Sequence, residues 1–478
     1  MDMAKTEKRK NWLALTVLCL GVLMIVLDTT IVNVALPSIR TSLGFGEVEL
    51  AWVVNAYLLT FGGFLLLGGR LGDLFGHRRV FLWGLVLFTL ASMACGFANS
   101  QWFLITARAI QGIGGAIVNS VALSLMMNLF TEPKERAKAM GVFGFVAAGG
   151  GSVGVLLGGF LTTINWHWIF LVNVPIGILV YIFSRMLLPV AHGGEEGKHI
   201  DVWGASTLIA SLVLANYAVV NGNIVGWGSF QTLGLLGLAL ILLALFVWIE
   251  SRVKAPLMPL KLFKLRNVVI ANVVSILWSA GMFSWFFISA LYMQFILSFT
   301  PLQVGLAFLP ANLIMAAFSI GLSAKIIERF GIKRPLGIGL GSAAIGLLLL
   351  AFAPVGGSFV THILPSMILL GIGAGIAFNP ILLSAMSDVP QHESGLASGL
   401  VNTSFMMGGA LGLAVLVSLA SAKTQSLLAA GTENLAALNN GYHLAFIVGA
   451  CFAALGALLG VFGMRISKEL HKVEGHAL

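Results

Sequence analysis

Apolar residues fall in runs of about 20 along this chain, without the every-second-residue alternation of a membrane barrel strand, and short polar stretches separate them. Fourteen such runs can be marked, at 12–36, 50–69, 80–98, 102–124, 140–162, 168–188, 202–221, 231–249, 268–297, 303–323, 336–354, 362–384, 396–419 and 442–464. Each is long enough to cross a hydrocarbon layer as a helix, and a bilayer admits only helices or closed barrels. The pattern predicts an all-α polytopic membrane protein with fourteen transmembrane helices.

Composition agrees. Of 478 residues 58% are hydrophobic and 9% charged, against roughly 25% charged in soluble domains. The net charge of +9 does not imply nucleic acid as a partner, because the basic residues sit in short connections between apolar runs. They gather in the even-numbered connections and both tails; the odd connections hold only Arg40 and Lys423, and Arg108 lies inside a run. By the positive-inside rule both termini are expected in the cytoplasm. Lys5, Lys8, Arg9 and Lys10 precede the first run as in a signal peptide, but no small-residue cleavage site follows a short apolar core, so this run is expected to stay as the first span. Cys19, Cys95 and Cys451 all fall within runs and are expected to pack as small apolar residues.

The chain repeats itself. Residues 69–79, GRLGDLFGHRR, correspond to 324–334, AKIIERFGIKR, so that Asp73 matches Glu328, Gly76 matches Gly331, and Arg78–Arg79 matches Lys333–Arg334. Gly112-Ile-Gly114 corresponds to Gly371-Ile-Gly373 and, more weakly, Ala139-Met-Gly141 to Ala397-Ser-Gly399. Spans 1–6 thus correspond to spans 9–14, with spans 7 and 8 inserted. The expected organisation is a six-helix half over 1–188, two inserted helices over 189–254 and a second six-helix half over 255–478. Parallel repeats of this kind are a transporter architecture, with the substrate site near the midplane between them.

Few charges lie within spans, and those are costly there and functional by default. Asp28 alone among the acidic residues is well inside a span, roughly 26 Å along a helix from Asn11 at about 1.5 Å per residue. Two readings stand: a carboxyl that takes and releases a proton, or a structural Asp bonded to Thr29, Thr30 or a neighbouring helix. Arg108 is the only deep basic residue, with Gln111 one turn on; it either partners a titrating carboxylate or snorkels and staples helices. For a substrate the in-span polar groups Asn33, Tyr57, Tyr292, Gln294, Asn379 and Asn402 are candidates. Span 9 adds the aromatic and Met stretch Trp278, Phe283, Trp285, Phe286, Phe287 and Met293, a lining suited to cations and promiscuous recognition.

These residues carry a family resemblance that covers essentially the whole chain. GGRLGDLFGHRR (68–79), LDTTIVNVALP (27–37), RAIQGIGGA (108–116), the Gly-rich GFVAAGGGSVGVLLGG (144–159) and WHWIFLVNVPIG (166–177) resemble motifs of the major facilitator superfamily, and within it the fourteen-span drug:proton antiporters. PLMPLKLFKLRN (256–267), SFTPLQVGLAFLP (298–310) and GLASGLVNTSFMMGGALG (395–412) are similar to the same group. The resemblance implies two six-helix halves plus two inserted helices. It implies Asp28, Arg108 and Gln111 in proton coupling, and a conformational latch of Gly69, Arg70, Gly72, Asp73, Gly76, Arg78 and Arg79. It also implies a helix-packing motif of Gly149, Gly154, Gly158 and Gly159. Two departures stand out: Gly154-Val155 where the family has Gly-Pro, and His167 where Arg is usual.

The expected function is therefore proton-coupled efflux of small cationic or amphipathic drug-like compounds from a bacterial cell, across its inner membrane. Neither a P-loop nor an HExxH metal site occurs, so no enzyme activity, metal or cofactor is expected beyond a proton gradient. The expected partners are a small-molecule substrate and lipid, with the family's usual monomer. An exporter of a dedicated metabolite such as an antibiotic or siderophore, a facilitator without proton coupling, and a non-transporting sensor or scaffold stay open as alternatives.

Overall fold

A computed structural model describes residues 2–189, 201–253, 256–318, 322–390 and 394–465. Fourteen apolar helices carry the bundle: α1 (Asp2–Leu43), α2 (Trp52–Phe75), α3 (His77–Gly96), α4 (Gln101–Leu129), α5 (Pro133–Ile164), α6 (Asn173–Leu187), α7 (Val202–Val225), α8 (Phe230–Arg252), α9 (Arg266–Leu291), α10 (Pro301–Ala317), α11 (Lys333–Leu350), α12 (Leu364–Met386), α13 (Ser394–Ala429) and α14 (Asn434–Leu458). Thirteen spans among the described residues are long and apolar enough to cross a bilayer, α6 together with the short helix Trp168–Leu171 ahead of it; α10 is shorter than these. Its last turn stops at Ala317, ahead of 319–321, which lie outside the described residues, and a separate helix Ser323–Phe330 follows. The first run becomes one unbroken helix from Asp2.

Local chemistry starts these helices where it should. Asp201 caps α7, its Oδ1 accepting from Gly204 N at 2.8 Å. Ser229 caps α8 through Thr232 N at 3.1 Å. Thr300 and Gln303 form a capping box ahead of Pro301 at the start of α10, where proline's missing N–H costs nothing. Gly76 and Gly331, equivalent in the repeat, both take positive φ, 88° and 72°, and each turns the chain into the next helix as only glycine does easily.

The packing has the repeat in it. In the first six helices α3 packs on α4, α4 on α2, α1 on α5, and α6 on α1 and α3; in the last six α11 packs on α12, α12 on α10, α9 on α13, and α14 on α9 and α11. Equivalent glycines make equivalent close approaches. A Cβ on Gly112 would stand 2.5 Å from Tyr57 O of α2, and one on Gly371 2.6 Å from Ala311 O of α10. A Cβ on Gly114 would stand 2.5 Å from Phe88 N of α3, and one on Gly373 2.9 Å from Gly339 O of α11. Without a hydrophobic force between helices in lipid, such backbone proximity is what holds them.

Between the two sets, α5 packs on α10 and α2 on α13, again an equivalent exchange. At the face where α1 ends the two sets are tied: Gln294 donates to Val34 O at 2.9 Å, Arg40 lies 4.9 Å from the centre of the Phe295 ring, and a Cβ on Gly159 would stand 2.8 Å from Pro301 O. Toward the other face the α5–α10 contact runs as far as Gly151 beside Asn312, while Gly141 and Gly144 have nothing within 4 Å of a Cβ. The inserted helices sit beside this seam. α7 packs on α2 and α13, and α8 on α7; Asn55 donates to Asn216 at 3.3 Å and Asn216 to Ala410 O at 3.1 Å. The outer surface is apolar, with Trp83, Trp102, Phe230 and Leu240 all exposed, as lipid-facing positions should be. Cys19 and Cys95 are buried free thiols, but Cys451 is exposed on this outer surface, so the expectation that it packs inside is corrected: α14 turns that side outward.

If the close approaches set the helix spacing, Gly114→Leu should lower the stability of the detergent-solubilised protein by about 1–3 kcal/mol, the usual cost of overpacking. Gly141→Leu, with open space, should leave the melting temperature by fluorescence-detected size exclusion unchanged.

Candidate functional site

Asp28 and Arg108 meet inside the first six helices. Asp28 lies about two-thirds of the way along α1 and is 0% exposed; Arg108, on the first third of α4, is 1% exposed. Arg108 Nη1 donates to Asp28 Oδ2 at 2.6 Å and to Gln111 Oε1 at 2.7 Å, and its Nε donates to Val53 O at 2.9 Å. Gln111 returns a bond from Nε2 to Asp28 Oδ1 at 2.7 Å. The three residues selected from sequence thus form one connected cluster. Thr29 and Thr30 bond the backbone of their own helix at Val26 O, so the carboxylate is not held by its neighbours in sequence.

Three residues that the sequence reading missed complete the cluster. Asn173 Nδ2, on α6, donates to Asp28 Oδ1 at 3.2 Å and Ser92 Oγ at 3.1 Å. Ser92, on α3, also accepts from Gln111 Nε2 at 3.1 Å and donates to Phe170 O at 2.9 Å. Cys95 Sγ lies 3.6 Å from Gln111 Oε1. The guanidinium lies 4.4 Å from the centre of the Tyr57 ring and 5.7 Å from that of Phe170, where a cation gains from the aromatic quadrupole. Five helices therefore contribute to one fully desolvated ion pair. Taking two charges out of water costs several kcal/mol each, and is offset only where geometry and additional hydrogen bonds are good.

The six substrate candidates do not converge. Tyr57 belongs to the Arg108 cluster, and its hydroxyl has no hydrogen-bond partner among the described residues. Tyr292 donates to Pro354 O at 2.9 Å, and Gln294 bridges to Val34 O; both sit in a wide π-turn, Tyr292–Ile296, that ends α9. Asn33 and Asn402 donate to carbonyls one turn back in their own helices, Thr29 O and Ser398 O. Asn379 reaches Ser323 Oγ at 3.2 Å. Of the span 9 aromatics, Trp285 packs with Phe286 and with Phe308 of α10, ring centres 4.3 and 6.1 Å apart, and its buried Nε1 has no partner among the described residues. Asn312, not selected from sequence, has a buried Oδ1 likewise without a partner among them, at the α5–α10 contact near Gly151.

The loop motif folds tightly. A Cβ on Gly72 would meet Val121 Cγ1 of α4 at 2.7 Å, whereas Gly69 faces open space. Asp73 lies 3.5 Å from His77 Nε2. Arg78 donates to Arg185 O at the end of α6, satisfying a terminal carbonyl; Arg70 lies near the end of α2 and Arg79 in the first turn of α3. In α5, Gly154 and Gly158 lie against Thr30 and Ile31 of α1, and Gly159 against α10; the surroundings of Gly149 lie outside the described residues. Val155, in the proline position, leaves α5 one continuous helix, and its carbonyl abuts Gly305 of α10. His167 hydrogen-bonds Asn165 Oδ1 through Nδ1 at 2.6 Å and reaches Ala98 O.

The sequence model of the Major Facilitator Superfamily matches residues 18–413. The chain belongs to that superfamily. Among curated relatives of this facilitator, the puromycin resistance protein pur8 of Streptomyces alboniger is 37% identical over 453 residues, 94% of this chain and 90% of the relative. The cephamycin export protein CmcT of Amycolatopsis lactamdurans is 37% identical over 415 residues, 86% and 85% of the two chains. The multidrug transporter protein MdtP of Bacillus subtilis is 33% identical over 433 residues, 90% and 79%. The superfamily fold is equally visible in solved structures: an auto-inhibited POT family peptide transporter matches with TM-score 0.68 at 18% identity, covering 96% of this chain and 98% of its own. The inward-open xylose transporter XylE from E. coli matches with TM-score 0.64 at 16% identity, covering 96% and 97%. The protein is thus a multi-pass membrane transporter-family member, its helices arranged as the superfamily arranges them.

Removing one partner from the facilitator's buried pair should cost more than removing both charges. Arg108→Ala is expected to destabilise by about 3–5 kcal/mol, because it strands a buried carboxylate. Arg108→Ala combined with Asp28→Asn should recover part of that loss in a double-mutant cycle of thermal unfolding.

Proposed function

We propose that this protein is a proton-coupled exporter of small cationic or amphipathic drug-like compounds, working by alternating access. The observation that carries the reading is the desolvated Asp28–Arg108–Gln111 cluster in a chain whose relatives are named for drug resistance and export. A carboxylate held by a fixed cation and two amides has two stable arrangements. Ionised, it keeps Arg108 and the start of α2 at Val53 drawn onto α1. Protonated, it loses the ion pair and leaves Arg108 held by the Tyr57 ring and Val53 O of α2, loosening α1 from α4. A proton at Asp28 is thereby linked to the relative position of helices that line the seam.

The seam supplies the rest. Gln294–Val34, Arg40–Phe295 and the α5–α10 contact tie the two helix sets at the face where α1 ends. We assign that face to the outside and the termini to the cytoplasm of a bacterial inner membrane, in keeping with the basic residues at the opposite face. The halves 1–188 and 255–478 would rock about the midplane, with 189–254 as an insert. Tyr57, Trp285 and Asn312, each with a buried unpartnered polar atom, are the groups best suited to meet a substrate there. Aromatic faces and a single carboxylate favour a lipophilic cation that competes with the proton. The glycines of 69–79 let the loop pack tightly as a latch, and a single copy of the chain suffices for this cycle.

A second reading, export of one dedicated antibiotic, draws on the relatives named for puromycin and cephamycin. A panel of competitors separates the two: inhibition by structurally unrelated cations supports broad export, inhibition by one compound class alone supports a dedicated exporter.

In liposomes with an imposed pH gradient, the wild type should drive a fluorescent lipophilic cation across the bilayer, and Asp28→Asn should abolish the gradient-driven flux while counterflow without a gradient persists. Undiminished gradient-driven flux in Asp28→Asn would rule Asp28 out of coupling.

A further inference from the structure

A pair of carboxyl groups is buried away from Asp28, at the other end of the molecule's seam. Asp201, the residue that opens α7, is 5% exposed, and Glu250, in the last turn of α8, is 3% exposed. Each spends one oxygen on the backbone. Asp201 Oδ1 accepts from Gly204 N at 2.8 Å, and Glu250 Oε2 accepts from Met258 N at 3.1 Å. The remaining oxygens, Asp201 Oδ2 and Glu250 Oε1, are buried with no donor among the described residues. They face one another across Gly204, where a Cβ would stand 2.2 Å from the first and 3.0 Å from the second.

Among the described residues no cation neutralises this pair. α7 carries no other charge. On α8, Arg252 lies 5.9 Å from the centre of the Trp248 ring. From α2, Leu67 and Leu71 pack against Ala205 and Leu257 beside the pair; Arg70 between them is half-buried, and Asp73 lies beside His77. In the segment after α8, Lys261 and Lys264 are exposed, and Arg266 donates to Gly463 O. Two carboxylates cannot both stay charged when facing each other out of water; one shared proton turns their repulsion into a hydrogen bond, and the pair then titrates as a unit.

We propose that Asp201 and Glu250 form a second proton-binding site, separate from Asp28, whose shared proton fastens the start of α7 to the end of α8 and to the chain entering α9. The proton comes from water on the face that carries this end of the helices and returns to it. Because Glu250 also holds Met258, and Leu257 packs on α2, the site joins three parts that must slide past one another if the helix sets rock. Losing the proton would set two negative charges against each other at that joint and loosen it. The pair senses pH at one face of the membrane and is distinct from whatever group carries protons through. The inference does not depend on Asp28 having a coupling role.

The test uses the full-length protein in lipid nanodiscs with Asp28→Asn in place, so that the central carboxyl contributes nothing. Infrared difference spectra should show a protonated carboxyl at neutral pH, where exposed carboxyls are ionised, that is lost as the pH rises. Adding Asp201→Asn and Glu250→Gln, which keep both backbone contacts, should remove the band. In the same preparations, hydrogen exchange at 256–262, corrected for its intrinsic pH dependence, should lose protection with rising pH only when the pair is intact. Absence of a neutral-pH carboxyl band, its survival in the triple variant, or protection that changes equally with and without the pair would overturn the proposal. None of these readouts needs transport, so their failure is separable from failure of the export reading.

Discussion

Everything near the centre of the first six helices answers to one constraint: an arginine that cannot lose its charge has been placed where water cannot reach it. Arg108 must be met by an anion and by acceptors for its remaining donors. Asp28 supplies the anion, Gln111 and Val53 O the acceptors, and Tyr57 a ring face. Asp28 in turn needs donors on its second oxygen, which Gln111 and Asn173 give. Ser92 closes the circuit between the two amides. Side chains and backbone of α1, α2, α3, α4 and α6 thereby meet around one carboxyl, and in the proposed mechanism its charge state acts on their positions.

The glycine contacts set how closely the helices lie. Where backbones touch, as at Gly112, Gly114 and their repeat partners Gly371 and Gly373, α2–α4 and α10–α12 have little room to slide. Between the two sets the backbones of α5 and α10 come as close, a Cβ on Gly305 standing 2.5 Å from Val155 O. Beside that contact the sets are joined by a side-chain amide to a carbonyl at Gln294 and Val34, a cation over a ring at Arg40 and Phe295, and an asparagine bridge through Asn216, bonds that can be exchanged for water at low cost.

Much of this was legible in the residues. The fourteen runs, the internal repeat and the deep charges Asp28 and Arg108 stand out because lipid makes every polar residue in a span conspicuous, and Gln111 followed by helical spacing. Asn173 and Ser92 were not found, since a small polar residue in a span satisfies itself against its own helix as often as it reaches out; Asn33 and Asn402 do the former. The polar residues chosen for substrate contact were individually plausible, yet rotation about each helix axis, which the chain alone does not reveal, points them to different places. Asp201 and Glu250 escaped notice for the opposite reason. At the ends of spans acidic residues look solvated, and only the fold of α7 against α8 buries them.

The central claim is that Asp28 exchanges a proton for a cationic substrate. The most direct measurement is proton release into weakly buffered solution when a lipophilic cation is added to the purified protein in detergent. The account predicts release from the wild type and none from Asp28→Asn; equal release from both would contradict it.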